Sequence, residues 1–319
     1  MDLENWLSFI YRVPEDKNIE PSFRLLRKDE NIIVERVTFR SLYESPYEVN
    51  NFVYVDLFTP IKEEASVFLL FVHGLGLSRR KKRLYALLPE RIARFGVASA
   101  FLSLPYHLER TPPGKTSSQW FSDFNDVETA AFYHQAVVDI IASVSALSRG
   151  RIPFIAGVSL GAMISVIALA VSERLKGGFL ILGGGNYERI IWKSLTRFMV
   201  KETGCNRKIC HRIYKRFPDY LEMVKKAGSW RKVLPPKICF LFEPLTFAPF
   251  AGKKEVVMIN ALFDMVIPRA SAIELWNALG RPEIHWLPST HGGAVFWGGK
   301  ISRIILKKLK KADRFQTFD

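Results

Sequence analysis

Gly157-Val158-Ser159-Leu160-Gly161 is the stretch on which the reading of this chain turns. Before it, Ile152-Pro153-Phe154-Ile155-Ala156 has the length and branching of a buried strand. After it, Ala162 to Ala170 is apolar on every side and reads as a buried helix. Strand, sharp turn and helix form the context in which G-x-S-x-G sets a nucleophile at the tip of a turn. Such a turn strains the backbone and brings strand and helix so close that the positions two before and two after must be almost bare. Gly157 and Gly161 occupy those positions. The new helix also aims its free N–H groups and positive dipole end at the serine. The same five residues can form an ordinary turn, so the rest of the chain has to decide.

Working outward, apolar strands and helices alternate. Ile32–Phe39 and Asn51–Phe58 read as an antiparallel pair at a sheet edge, and Ser66–Val72 as a central strand ending in His73-Gly74-Leu75-Gly76. A basic amphipathic helix follows from Arg80 to Phe95, then a strand at Val97–Leu102 and a long loop containing Pro105, Pro112 and Pro113. Asp126–Ser148 reads as a helix capped by Asp126. Beyond the central motif come a strand at Gly177–Gly185, a helix-like stretch with runs at Ile190–Lys201 and Ile209–Lys226, and strands at Glu255–Asn260 and Glu283–Pro288. A helix joins the last two strands, and an amphipathic helix closes the chain. The pattern predicts an α/β fold with a mostly parallel sheet and helices on both faces. Its parts are an N-terminal extension and edge strand (1–50), a first core segment (51–185), a helical insertion and candidate lid (186–250), and a second core segment (251–319).

Four stretches, each after a strand, then fall into line: His73-Gly74-Leu75-Gly76, the turn at Ser159, Asp264 in Phe-Asp-Met-Val-Ile-Pro, and His291 in Ser-Thr-His-Gly-Gly. With the order Ser, Asp, His, they make the chain from about Asn51 to Lys311 resemble the α/β-hydrolase family. The Pro-Tyr-His-x-x-Arg loop at 105–110 and Glu243-Pro244-Leu245-Thr246 are similar to esterase members near the acetyl-xylan-esterase and dienelactone-hydrolase branches. A serine at the turn, and not cysteine or aspartate, argues against dienelactone hydrolase, dehalogenase and epoxide hydrolase chemistry.

The resemblance and the chemistry assign roles. A serine hydroxyl needs a base within reach, for which His291 is expected, and the imidazole needs a carboxylate to orient it, for which Asp264 is expected. Backbone N–H groups of Leu160 and Leu75 are expected to hold the oxyanion. His107 and Arg110, beyond a strand end, are candidates for touching substrate. Asp219 and Glu243 are rival carboxylates without the strand-end position. His134 reads as a packed core residue, and His211 and His285 carry no motif. The expected activity is hydrolysis of carboxylic esters of small molecules through an acyl-enzyme, without cofactor or metal. Insertion aromatics (Trp192, Phe198, Tyr214, Phe217, Tyr220, Trp230) are expected to line an acyl pocket. A peptidase or thioesterase on the same residues, a catalytically silent binding scaffold and a membrane-surface lipase are the alternatives.

Composition narrows the field. Hydrophobic residues at 48% and aromatics at 13% supply a core for 319 residues, which excludes a disordered chain. The formal charge of +15 has basic runs at Arg79–Arg83 and Lys307–Lys311, read as solvated helix faces. No nucleic-acid-binding module accompanies them. The apolar run Phe154–Ser172 reads as buried strand plus helix, so no integral membrane segment is expected. The acidic start of the chain does not resemble a signal peptide. Cys205, Cys210 and Cys239 form no disulfide framework, and Cys205, Cys210 and His211 lack a fourth partner for zinc, so a reducing cytoplasm is expected.

Overall fold

The computed structural model describes residues 2–13, 18–62, 65–198 and 206–314. Nine strands form one sheet: β1 (Ser22–Lys28), β2 (Ile32–Arg40), β3 (Phe52–Pro60), β4 (Val67–Val72), β5 (Ala98–Leu102), β6 (Ile152–Val158), β7 (Gly177–Ile181), β8 (Glu255–Ala261) and β9 (Glu283–Leu287). Their spatial order is β1-β2-β3-β5-β4-β6-β7-β8-β9. The first three are antiparallel to their neighbours, and every pair from β5 to β9 is parallel.

The continuous apolar strands follow from covering both faces of the sheet. In β4, Phe68, Leu70 and Val72 enter one core while Val67, Leu69 and Phe71 enter the other. The first core is closed by α1 (Leu3–Phe9), α4 (Asp126–Leu147), α5 (Leu160–Val171), α9 (Pro244–Ala251) and α10 (Arg269–Ala278). The second is closed by α2 (Arg79–Arg94) and α11 (Gly298–Arg314). Between α2 and α4 lies the short α3 (Ser117–Asp123), whose N-terminus carries a capping box of Thr116 and Gln119. The helix α4 is long and apolar enough to cross a membrane, yet most of it is buried in the protein. The run Phe154–Ser172 is β6 running into α5, as expected.

Local differences from the sequence reading have physical causes. The true sheet edge is β1, whose seven residues are all exposed and carry no apolar alternation to announce a strand. The cap of α4 is Asn125, whose side chain accepts from the Val127 and Glu128 N–H groups while Glu128 returns a bond to the Asn125 N–H. The insertion is broken into smaller helices. The run beginning at Ile190 is α6 (Tyr187–Trp192) and a 3-10 turn at Leu195–Phe198, with residues 199–205 outside the described residues. The run at 209–226 is two helices, α7 (Arg207–Tyr214) and α8 (Phe217–Ala227), because Pro218 starts a new helix.

Candidate active site

Ser159 stands between β6 and α5 with φ 55° and ψ −117°, a conformation that costs a side-chain-bearing residue about 1–3 kcal/mol. The turn is held because its own N–H donates to the Ile181 carbonyl at 2.8 Å, tying it to β7. A Cβ at Gly161 would lie 2.3 Å from the Val72 carbonyl oxygen, and one at Gly157 would lie 2.2 Å from that of Gly161. Both neighbours are backbone and cannot swing aside. Gly161→Ala is therefore expected to destabilise the fold by at least about 2 kcal/mol, read as a lower urea midpoint.

The other two members arrive from the far side of the sequence. Asp264 follows β8 and turns its carboxylate inward, with only 3% of the side chain exposed. Its Oδ1 accepts the N–H groups of Val266 and Ile267, both at 2.8 Å, so the turn that leads to Pro268 fixes its rotamer. Its Oδ2 lies 2.7 Å from His291 Nδ1, and His291 Nε2 lies 3.1 Å from Ser159 Oγ. An ionised carboxylate only accepts, so Nδ1 carries the proton and Nε2 presents its lone pair to the serine hydroxyl. The three residues expected from sequence thus meet in the geometry of a nucleophile, a base and an orienting carboxylate.

The loop after β4 completes the site. Leu160 is the first residue of α5, so its N–H has no carbonyl within the helix. A Cβ on Gly74 would touch Ser159 Cβ and the Val158 carbonyl at 3.3 Å, which shows how closely the His73–Gly76 loop lies on the turn. His73 is fully buried and accepts the Leu104 N–H on Nε2, leaving Nδ1–H to donate to the Gly74 carbonyl at 2.7 Å. It shapes this loop from behind and, well below the usual histidine range through burial, stays neutral.

His107 and Arg110 do not face substrate, contrary to the sequence expectation. Both are fully buried. His107 Nε2 accepts the Gly76 N–H at 3.0 Å, and Nδ1–H donates to the Pro105 carbonyl, so its role is to brace the loop carrying Leu75. Arg110 spends its donors on Asp139 (2.7 Å) and on the carbonyls of Asn50 and Ser103. The loop reading failed because both side chains turn inward and spend their polar atoms on neighbouring backbone and on Asp139.

Burial lowers His107 to about 4, and His134 to about 4 as well. Each imidazole is therefore neutral in the fold and takes up protons more readily when unfolded. The stability they contribute is present above the unfolded value near 6.5 and is lost as pH falls through about 4. The melting temperature is expected to drop between pH 6.5 and 4, and the drop should shrink in His134→Gln.

The rival carboxylates find other work. Asp219 is exposed in the first turn of α8. Glu243 is fully buried and accepts from the Asn186 and Tyr187 N–H groups and from the Tyr214 hydroxyl, pinning the insertion to the core. Of the candidate zinc group, Cys205 lies outside the described residues. Cys210 is buried on α7, and His211 lies 3.4 Å from Glu188.

One apolar cavity lies next to His291. It has a volume of about 280 Å³ and adjoins Val158 between α2 and the Gly292–Trp297 turn, walled by Leu84, Leu87, Leu88, Ile181, Leu182 and Phe296. None of the insertion aromatics lines it. Phe217, Tyr220 and Trp230 are buried, packing on Phe240 and Phe247, because α8 lies down on the first core. Sequence reading did not foresee this cavity, because it took the basic run of α2 as a solvated helix face. The signal available was the set Leu84, Leu87 and Leu88, which basic residues only partly cover.

The topology, with Ser159 on a strained turn after β6, Asp264 after β8 and His291 after β9, is that of the α/β-hydrolase fold. Solved structures share it across their whole length. An acetyl xylan esterase from Paenibacillus sp. R4 superposes with a TM-score of 0.60 at 15% identity, covering 96% of this chain and 99% of its own. Acetyl xylan esterase 1 from Thermoanaerobacterium sp. JW/SL YS485 gives 0.58 at 14%, covering 96% and 98%. A Pyrococcus furiosus esterase gives 0.52 at 10%, covering 95% and 98%. No protein-family model and no curated protein sequence matches the chain.

Proposed function

We propose that this protein is a serine hydrolase of carboxylic esters. The observation that carries the reading is the continuous chain of contacts from Asp264 through His291 to a strained Ser159. His291 Nε2 takes the hydroxyl proton as Ser159 Oγ bonds to the ester carbonyl carbon, and the carbonyl electron pair moves onto oxygen. The Leu160 and Leu75 N–H groups hold that oxyanion. When the pair returns, the alkoxide leaves and takes the proton from His291. Water repeats the sequence on the acyl-enzyme and frees the acid. No step calls for a cofactor or metal. That acetyl xylan esterases and a Pyrococcus furiosus esterase share this fold supports the same reading.

The apolar cavity beside His291 suits a hydrocarbon acyl chain. A chain with three cysteines at spacings that make no disulfide framework suits the cytoplasm. A panel of p-nitrophenyl esters of graded chain length tests the assignment. Turnover with a preference for chains longer than acetyl is expected. Activity confined to peptide amides would contradict it.

A further inference from the structure

We propose that α2 and the Gly292–Trp297 turn form a docking surface for an anionic phospholipid bilayer, which delivers acyl esters to Ser159 from the membrane side. The delivery clause rests on the ester-hydrolase reading; the docking clause does not.

The outward stripe of α2 is Arg80, Leu84, Leu87 and Arg91, spaced 4, 3 and 4 apart and therefore on one helix face. Leu84 and Leu87 are 46% and 51% exposed. Across the cavity mouth stands Phe296, 89% exposed, on the same turn as Val295. All of these apart from Arg80 border the cavity that adjoins His291. Apolar side chains thus ring the entrance and not its interior alone, an arrangement that monomers in water usually avoid.

The cations argue for an anionic counterpart. Arg79, Arg80, Lys81 and Arg83 crowd the first turns of α2, with no acidic residue in the first turn. That is the positive end of the helix dipole, where cations are disfavoured. Of the run, Lys82 alone among the described residues forms ion pairs, with Asp56 and Glu109. Among the described residues, no carboxylate pairs with Arg79, Arg80, Lys81, Arg83 or Arg91. Their placement disfavours the helix, and no acidic group among the described residues uses them. An anionic headgroup layer would satisfy them, while the hydrocarbon beneath it would receive Phe296, Leu84 and Leu87. A second copy would bring the same cations face to face across a twofold axis. An acidic protein would satisfy the charges but would close the entrance.

The test uses the purified full chain in co-sedimentation with vesicles of phosphatidylcholine, with or without phosphatidylglycerol. Binding is expected only with phosphatidylglycerol, should weaken with salt, and should be equal in Ser159→Ala. Arg80→Gln combined with Arg83→Gln should weaken partitioning about 25-fold, taking roughly fivefold per arginine. Phe296→Ser should weaken it at least about tenfold. The double arginine variant should hydrolyse soluble p-nitrophenyl acetate as the parent does, while losing turnover of a vesicle-borne ester. Equal affinity for neutral vesicles, no binding to anionic ones, or a dimer that Phe296→Ser dissociates would overturn the proposal. Loss of ester turnover with vesicle binding intact would instead fault the chemistry and support the docking.

Discussion

Ser159→Ala is expected to reduce kcat for p-nitrophenyl ester hydrolysis at least about 10⁴-fold while leaving the melting temperature within a few degrees of the parent. The magnitude follows from what the hydroxyl does: without it no acyl-enzyme forms, and only the oxyanion donors and substrate positioning remain. The fold should tolerate the change. Ser159 Oγ meets His291 Nε2, and the turn is anchored through the Ser159 backbone N–H to Ile181, which alanine retains. Alanine keeps the positive-φ strain, so stability should move little in either direction. His291→Ala should bring turnover down comparably, because the serine and its base act as one unit and their effects do not add. Steady-state kinetics with circular dichroism on the same preparations checks both. A variant that stays folded and keeps more than a hundredth of the parent rate would remove Ser159 from the mechanism.

The second large effect is on stability. Arg110 and Asp139 are a fully buried ion pair, with Asp139 Oδ1 also accepting the Ser41 hydroxyl at 2.6 Å. Burial pushes the Asp139 carboxyl upward, opposed by the Arg110 charge. Arg110→Met strands that carboxylate and the carbonyls of Asn50 and Ser103, and is expected to cost about 3–5 kcal/mol in urea unfolding. Adding Asp139→Asn removes the orphaned charge but keeps an acceptor for Ser41, so the double variant should recover part of the loss. The folded fraction of Arg110→Met should retain the parent KM, since the guanidinium is fully buried and bonded only within the protein. A raised KM with unchanged stability would restore the substrate-contact reading of Arg110.

Much of the fold was legible because strands buried on both faces announce themselves by unbroken apolar runs, as in Val67–Val72 and Ile152–Val158. The three residues that converge at the sheet end were legible for a related reason. A nucleophile turn demands Gly157 and Gly161 on steric grounds, and residues such as Asp264 and His291 at strand ends point to where the sheet must gather them. The remainder depends on packing that one-dimensional pattern does not carry. Nothing in Ser22–Lys28 marks an exposed edge strand, since its pairing partner β2 supplies the reason for it. The insertion aromatics look alike whether they line a pocket or fill a core. Phe217, Tyr220 and Trp230 fill the core while Phe198 stays exposed, and Glu243, accepting from Asn186, Tyr187 and Tyr214, ties this part of the insertion down. His107 and Arg110 likewise carry reactive groups, and only the path of the loop after β5 reveals that those groups turn inward. The cavity against α2 was hidden because its leucines sit among basic residues and read as part of a wet surface.

The most direct test is to locate a fluorophosphonate adduct by peptide mass spectrometry. One phosphonyl group on Ser159, with labelling suppressed in His291→Ala, is the expected outcome. An adduct on another residue, or none on the folded protein, would contradict the account.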